Sequence, residues 1–455
     1  MIVNLAPISI IGAGPTGTLL AILLHRHGIR VNLYEKRSDP REDLKNSGRS
    51  INLALADRGL HALAQAGVLA EISHALMPMR GRLIHHIDGT TVLQPYGQTP
   101  DEINHSVSRL RLNQILVEVA ARQPGIKIHF EHSLEDADFK TGIAKIRDLG
   151  NGRIVNVRMQ PLLATDGAGS AIRRELSQQQ LINAHEVELD HGYKELSIPA
   201  GKHGQHLLAP DVLHIWPRGS YMLIALPNSN GSFTATLFLP KNGAESFASL
   251  NTATIDRFFS DTFPDVRALM PNCVREFSEH AVGFLGTVYA NPWHYQSAAA
   301  IIGDAAHAIV PFHGQGMNCC FEDCIEFDAC VMRNNTWEAI FSEFESIRKP
   351  NTDAIATMAL ENYLEMREHV AHAKFQLQQS LALELERRHP QHFIPRYSMV
   401  MFHHEIPYHV ALDRGLVQSK LLAELTLNAS TLAEVDFAKA EREIKSQLPP
   451  FVPAL

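Results

Sequence analysis

The opening of the chain carries the pattern that most restricts its fold. An apolar run at 7–11 leads into Gly12 to Gly17, which reads Gly-x-Gly-x-x-Gly, and a helical pattern continues to His27. A second apolar run at 30–34 ends at Glu35. Strand, glycine turn, helix, strand and terminal acid in this order predict a β-α-β unit that binds a dinucleotide. The glycines allow a pyrophosphate to approach closely, and Glu35 is placed to accept a hydrogen bond from a ribose hydroxyl.

Two later stretches have a similar layout of strand, aspartate, glycine and helix. An apolar run at 298–302 ends at Gly303-Asp304, and a loop rich in glycine and proline precedes a helical pattern near Asn318. Another apolar run ends at Asp166-Gly167, just before a helix. Such loops suit a diphosphate or the edge of a flavin, because glycine permits close approach and a helix N-terminus offers free N–H groups. Taken alone, Gly303-Asp304 also fits an ordinary structural turn.

Composition excludes several classes of protein. The 455 residues predict two or three domains, and the formal net charge of −8 without a basic block argues against a nucleic-acid partner. We identify no signal peptide and no run of about eighteen apolar residues, so we expect a cytoplasmic protein without a membrane span. The five cysteines form no Cys-x-x-Cys pair, which favours reduced core thiols over a disulfide or metal site. The 25 histidines form no metal-binding motif.

The periodicity of apolar residues predicts three regions. An α/β dinucleotide-binding domain is expected at 1–75, 105–180 and 285–350. A substrate-binding domain at 76–104 and 181–284 alternates in the manner of a mostly antiparallel sheet. After Pro350 the pattern becomes helical, so 351–455 is expected to form a C-terminal helical region, with 351–388 as one long helix or two.

The three strand-and-glycine elements, in this order and spacing, resemble the single-component flavin-dependent aromatic hydroxylases. This resemblance implies a Rossmann-like FAD-binding domain of the glutathione-reductase type, with the antiparallel sheet inserted into it. It also implies NADPH and dioxygen as co-substrates and a flavin hydroperoxide as the oxygen donor. One departure lies at the middle motif, where the family usually has Gly-Ala-Asp-Gly and this chain has Ala164-Thr165-Asp166-Gly167. We expect this change to leave the fold intact but to affect how NADPH approaches.

A closer match is to the branch of this family that hydroxylates L-kynurenine in tryptophan catabolism, a route that also serves NAD biosynthesis. It rests on residues 48–54, 93–97, 191–196, 311–318, 361–363 and 393–399. The resemblance implies that Arg82 holds the substrate carboxylate, with Tyr96 and Tyr397 donating hydrogen bonds beside it. The full set of implied substrate-binding residues is Arg82, Tyr96, Phe238, Phe312, His313, Asn362, Glu365, Met366 and Tyr397.

The expected FAD-binding residues combine the glycine motif with positions that the resemblance implies. They are Gly12, Gly14, Thr16, Gly17, Glu35, Arg37, Ala54, Arg111, Asp166, Asp304, Gly316, Met317 and Asn318. No side chain is expected to be catalytic, since the flavin does the chemistry and the aniline nitrogen of the substrate activates its ortho carbon. His313 is the one candidate for proton transfer, and we favour a packing role for it.

Two other functions are compatible with the sequence. One is hydroxylation of a different aromatic acid or a phenol, which would need a group to ionise the phenol. The other is a non-catalytic FAD-binding redox sensor, whose C-terminal helices would mediate protein contacts. For the oligomeric state, we expect either a monomer or a homodimer.

Overall fold

The computed structural model describes residues 7–42, 52–366 and 372–451. Residues 1–6, 43–51, 367–371 and 452–455 therefore lie outside the described residues. They include 48–51, which is part of one motif that carries the resemblance. The strands are β1 (Ile8–Ile11), β2 (Val31–Tyr34), β3 (Asn52–Leu55), β4 (Met77–Met79), β5 (Gly81–His85), β6 (Thr91–Pro95), β7 (Asn104–Ser108), β8 (Ile126–His129), β9 (His132–Asp138), β10 (Ile143–Asp148), β11 (Ile154–Arg158), β12 (Leu162–Ala164), β13 (Asn183–Glu188), β14 (His191–Ile198), β15 (Leu213–Pro217), β16 (Met222–Pro227), β17 (Phe233–Pro240), β18 (Gly286–Asn291), β19 (His294–Tyr295) and β20 (Ala299–Ile301).

The helices follow the same chain order. They are α1 (Pro15–Arg26), α2 (Asp57–Gln65), α3 (Leu69–Ile72), α4 (Arg109–Ala121), α5 (Ala171–Gln178), α6 (Ile255–Thr262), α7 (Pro264–Arg267), α8 (Cys273–Glu279), α9 (Asp304–His307), α10 (Gly316–Arg333), α11 (Trp337–Leu364), α12 (Ala373–Arg388), α13 (Arg396–Phe402), α14 (Tyr408–Thr426) and α15 (Phe437–Gln447).

A six-stranded sheet, ordered β19-β20-β12-β1-β2-β8, forms the core of the α/β part of the molecule. All of its pairings are parallel except that of β19 with β20. β1 and β12 are wholly buried, which explains why they read as continuous apolar runs rather than as alternating ones. Helices α1, α4 and α10 pack together beside this sheet.

A second six-stranded sheet has the order β14-β17-β16-β15-β5-β6. Its pairings are antiparallel except that of β15 with β5. The alternating burial of β14 and the hairpin from β16 to β17 agree with the predicted period of two. The sheet thus brings together two stretches that are far apart in sequence, 81–95 and 191–240.

Two secondary-structure expectations are wrong. Part of the region expected to alternate as strands, 255–279, forms α6, α7 and α8. Their buried residues Ile255, Phe259 and Phe263 recur every four positions, which is a helical spacing.

The second error concerns the start of the C-terminal helices. α11 begins at Trp337 and runs through Pro350, so the proline does not mark a boundary. Pro350 and Ser346 both lie on the exposed side of the helix, where water can satisfy the carbonyl of Ser346 that a proline four residues on cannot. Of the two possibilities left open for 351–388, the structure has two helices, α11 and α12.

Candidate active site

Three loops meet at one edge of the parallel sheet. They follow β1, β12 and β20, which are neighbours in the sheet and run in the same direction. Their carboxyl ends therefore place Gly12, Asp166 and Gly303 close together, although these residues are far apart in sequence. Ligands of open α/β sheets bind at this edge, outside the carboxyl ends of the strands.

The glycines of the first loop have two different roles. A side chain at Gly12, whose φ is +102°, would place Cβ 2.6 Å from the carbonyl oxygen of Thr165, and one at Gly17 would collide with the carbonyl of Gly12. At Gly14, by contrast, a Cβ would meet nothing within 4 Å. Gly12 and Gly17 are thus needed for packing, whereas Gly14 leaves open space at the N-terminus of α1. This cradle fits the pyrophosphate of a dinucleotide.

Glu35, at the end of β2, orients the glycine loop. Its carboxylate accepts hydrogen bonds of 2.9 Å from the backbone N–H groups of Ala13 and Arg37. The carboxylate is largely buried beside the turn, as expected for a ribose-binding acid. The side chain of Arg37 is exposed.

The middle motif shows what its departure from the family pattern does. Ala164 is the buried last residue of β12, and the Thr165 hydroxyl donates to the carbonyls of Ile11 (3.1 Å) and Gly12 (2.9 Å). Thr165 therefore ties the middle motif to the glycine loop. Asp166 accepts from the backbone N–H of Ala171 at 2.7 Å, but its other carboxylate oxygen is buried without a partner in the described part of the chain. Burial raises the pKa of Asp166 because it disfavours the charged carboxylate. A donor from a ligand to this oxygen would stabilise the charged form.

The third loop is fixed by the buried carboxylate of Asp323. Asp323 accepts from Arg348 Nε at 2.7 Å and from the N–H of Gly303 at 3.2 Å, and it bonds His307 at 2.5 Å. Burial works against this carboxylate, but His307 and Arg348 hold the pKa of Asp323 below its usual value. The loop that carries Asp304 is thereby fixed in place.

Asn318 fastens the third loop to β3. Its amide donates to the carbonyls of Ala54 and Gly314 at 2.9 Å, and its oxygen accepts from the N–H of Ala56 at 3.0 Å. The side chain is fully buried, and its three hydrogen bonds all go to backbone groups. We conclude that Asn318 shapes the site, and that any contact with a flavin would come from its backbone.

A cavity of about 330 Å³, here called the inner cavity, joins these loops to the second sheet. The expected residues that line it are Thr16, Ala54, Arg82, Tyr96, Phe238, Asp304, Phe312, His313, Gly316, Met317, Met366 and Tyr397. Arg111 is exposed and lies 3.5 Å from His74; in its place Arg109, which we did not predict, lines the cavity. The cavity therefore connects the nucleotide loops to the residues expected at the substrate.

Aromatic side chains form one wall of the inner cavity. The rings of Phe238 and Phe312 lie 5.0 Å apart, and Tyr363 stacks on Phe312 at 4.0 Å. Asn362 donates to the carbonyl of Phe312 at 2.6 Å and to the sulfur of Met366 at 3.3 Å. Asn362 does not line the inner cavity, and it fixes the position of Phe312 from behind.

The polar end of the cavity is built around Arg82. Its guanidinium lies 4.7 Å from the ring of Tyr397 and 5.8 Å from that of Tyr96, and the two rings are stacked 5.9 Å apart. Arg82 and Asn104 act against the burial that raises the pKa of these two phenols. The Nε of Arg82 is buried without a partner among the described residues. A buried, incompletely bonded guanidinium is suited to a carboxylate ligand.

His313 stacks on Tyr397 with ring centres 5.4 Å apart and an interplanar angle of 16°. Burial lowers the pKa of His313 to about 3, with Arg396 and Arg82 acting in the same direction. The imidazole is therefore neutral near pH 7. This state favours the packing role over that of an acid.

A second cavity of about 440 Å³, here called the outer cavity, lies on the other side of Arg82. It is lined by β6 and by helices α12, α13 and α14, and Asn362 and Glu365 face it. Four residues line both cavities: Arg82, Tyr96, His313 and Tyr397. They form the partition between the two spaces.

Sequence reasoning missed the residue that joins the C-terminal helices to this site. Arg58, on α2 and 1% exposed, donates to the carbonyls of Met399, Val400, His403 and Ile406 and pairs with Glu322 at 2.6 Å. Its guanidinium also lies 4.0 Å from the ring of Tyr408, whose hydroxyl donates to Gln315. An arginine on an amphipathic helix is normally solvated, so no local pattern marks it.

Comparison with known proteins agrees with this geometry. Residues 6–355 match the family profile described as FAD binding domain. In overall fold the chain resembles p-nitrophenol 4-monooxygenase from Pseudomonas putida, with a TM-score of 0.68, 17% identity, and coverage of 85% of this chain and 96% of that one. The matching profile and the dinucleotide cradle thus define an FAD-binding protein.

Two curated relatives are similar over nearly their whole length. Kynurenine 3-monooxygenase of Stenotrophomonas maltophilia is 47% identical over 443 residues, which cover 97% of each chain. Kynurenine 3-monooxygenase of Myxococcus xanthus is 42% identical over 446 residues, covering 98% of this chain and 96% of that one. The chain belongs to the kynurenine 3-monooxygenase family. Its cofactor is FAD, and NADPH and dioxygen are its co-substrates.

Within the described ranges, no helix is both long and apolar enough to cross a membrane.

Proposed function

We propose that this protein hydroxylates L-kynurenine to 3-hydroxykynurenine with NADPH and dioxygen. The observation that carries the proposal is one cavity with a nucleotide cradle at one end and the incompletely bonded Arg82 at the other. L-Kynurenine has matching parts, a flat aryl ketone and a charged amino-acid end. The names of the full-length relatives support this substrate.

The loops at the sheet edge would hold FAD. Gly14 leaves space for the pyrophosphate, Glu35 lies where a ribose hydroxyl would donate, and Asp304 lines the cavity next to Cys320. The unpartnered oxygen of Asp166 would accept from the cofactor or its solvent. When bound, the flavin supplies the redox chemistry that activates dioxygen, and the protein supplies orientation and a water-poor site.

Arg82 would bind the substrate carboxylate through its guanidinium. Burial raises the pKa of Tyr96 and of Tyr397, so both phenols stay protonated near neutral pH and can donate to the same carboxylate. These donors come from β5, the end of β6 and α13. A ligand carboxylate would therefore join the second sheet to the C-terminal helices.

Phe238 and Phe312 would hold the aromatic ring of the substrate. Their apolar faces exclude water from the reacting carbon, and Asn362 fixes Phe312 through its backbone carbonyl. No protein base is required, because the aniline nitrogen already donates electrons to its ortho carbon. The depressed pKa of His313 fits this reading, since a neutral imidazole in a stack serves as packing.

We further propose that the protein works in the cytoplasm, as a monomer or homodimer, and binds no nucleic acid. The five cysteines are all free and buried, which is compatible with a reducing compartment. The net charge of −8 offers no electrostatic attraction to a phosphate backbone.

The test is NADPH oxidation by the yellow holoprotein, with and without L-kynurenine, followed by mass analysis of the product. The proposal expects stimulated oxidation and a product heavier by one oxygen atom. Stimulation without an oxygenated product would make kynurenine an effector only and would contradict the proposed reaction.

A further inference from the structure

The outer cavity is larger than the inner one and has a different chemistry. Amide and hydroxyl side chains on β6, α12 and α14 are part of its lining: Gln94, Gln376, Gln378, Gln379, Ser380, Gln418 and Ser419. Some lining residues, such as Val92, Gln379 and Ser419, are solvent-exposed. The outer cavity is thus more polar than the inner cavity and opens to water, whereas the inner cavity is walled mainly by apolar and aromatic groups.

The partition between the cavities is also the proposed anchor for the amino-acid end of the substrate. Arg82, Tyr96 and Tyr397 each line both spaces. A substrate with its ring in the inner cavity and its carboxylate at Arg82 would have its α-carbon at this partition. The substituents on that carbon would then face the outer cavity, where space of about 440 Å³ remains.

We propose that the outer cavity is a subsite for a substituent on the α-nitrogen of the substrate. The ligand class is an aryl-ketone amino acid that keeps its free carboxylate and carries a small polar group on the α-nitrogen, such as an aminoacyl group. This inference rests on the proposed function for the position of the ring and carboxylate, and it extends the substrate class beyond the free amino acid.

The charges around the outer cavity select among such substituents. Glu365 faces the outer cavity and is close enough to Arg82 to stabilise its charge. Arg396, which also lines this space, forms an ion pair with Glu361. A substituent that retains an ammonium group would be attracted by the Glu365 carboxylate, so a glycyl group should be accepted better than an acetyl group.

The experiment measures binding of L-kynurenine, Nα-glycyl-kynurenine and Nα-acetyl-kynurenine to the oxidised holoenzyme without NADPH, by calorimetry. The glycyl compound is expected to bind within roughly tenfold of L-kynurenine, and more tightly than the acetyl compound. Leu383, on α12, lines the outer cavity but not the inner one. Leu383→Trp should narrow the outer cavity and weaken binding of the glycyl compound by about tenfold or more, with little change in the affinity for L-kynurenine.

Two further variants keep the result interpretable. Gln379→Trp fills the same cavity from an exposed position, and so serves if Leu383→Trp fails to fold. Lys420→Trp, on the exposed side of α14 and outside the lining, is the matched control and should change neither affinity.

The same binding measurements separate a failure of the subsite from a failure of the proposed function. If L-kynurenine binds but the glycyl compound does not, the subsite is overturned while the proposed function stands. Equal weakening of both ligands by the filling variants would also overturn it. If L-kynurenine itself fails to bind, the proposed function is contradicted first.

Discussion

The two ends of the inner cavity are built in different ways. The nucleotide end consists of three short strand-turn-helix elements, each continuous in sequence and brought together by neighbouring parallel strands. The substrate end takes Arg82 from β5, Tyr96 from the end of β6 and Tyr397 from α13. One end is local in sequence, and the other exists only after a sheet and a helical region have packed together. Substitutions should therefore affect the two ends independently, except at residues that join them.

The largest effect is expected at the nucleotide end. Gly14→Val should abolish FAD retention while the protein still folds, because the added side chain meets only the space of the cradle. Flavin absorbance and far-UV circular dichroism of the purified protein check this. Gly17→Val is the matched comparison: its side chain collides with the carbonyl of Gly12, so folding itself should fail. A yellow Gly14→Val protein would contradict the cradle.

Arg58→Met should break the connection between the two ends. The change removes the buried donor of four backbone carbonyls and one of the two arginine partners of Glu322, which still pairs with Arg348. The expected cost is about 3–5 kcal/mol in the free energy of unfolding. Denaturant unfolding of the holoprotein measures it. Arg257→Met, at an exposed ion pair on α6, is the control and should cost less than about 1 kcal/mol. Equal losses in both variants would contradict a joining role for Arg58.

Tyr397→Phe should weaken substrate binding without affecting the nucleotide end. Removing one hydroxyl that we propose to donate to the substrate carboxylate should cost about 1.5 kcal/mol, or roughly tenfold in the dissociation constant. The ring and its stacking on His313 are retained. Substrate titration together with FAD content gives the answer. A normal affinity with reduced FAD would reverse the assignment of the two ends.

A fourth prediction concerns His313 and the pH dependence of stability. Its pKa is about 3 in the folded protein, against about 6.5 in the unfolded chain. As pH falls below 6.5 the unfolded state takes up a proton that the folded state does not, so stability decreases by up to about 1.4 kcal/mol per pH unit down to pH 3.

His313→Asn should remove this contribution and flatten the fall in stability between pH 6 and pH 4. Unfolding measured at a series of pH values tests it, with the exposed His203→Asn variant as control. An unchanged slope in His313→Asn would show that the imidazole is accessible to protons in the folded state.

This difference between local and distant construction also explains what the sequence could predict. Glycine spacing and the apolar run before each loop identified the loops after β1, β12 and β20, because those signals lie within each element. Helices α6 to α8 were missed where strand alternation was assumed. Pro350 was misread as the point where the helical pattern starts, because a proline on the exposed side of a helix is tolerated.

The substrate end was predicted only through resemblance. Nothing in the local pattern of Arg82 or Tyr397 indicates that they meet, because a sheet and a helix must first pack together. Arg58 and Arg109 escaped prediction for the same reason. The proposed domain boundaries and the contacts of each residue with FAD or substrate stay predictions.

We propose that Arg82 recognises the substrate carboxylate, whereas the nucleotide end forms without it. The most direct test compares L-kynurenine with kynuramine, which lacks the carboxylate, in the oxidised holoprotein and in its Arg82→Met variant. We expect the native protein to prefer L-kynurenine by about 100-fold. The variant should bind both ligands with similar weak affinity and keep its full FAD content. A variant that still prefers L-kynurenine, or one that loses FAD, would show that Arg82 does not have this role.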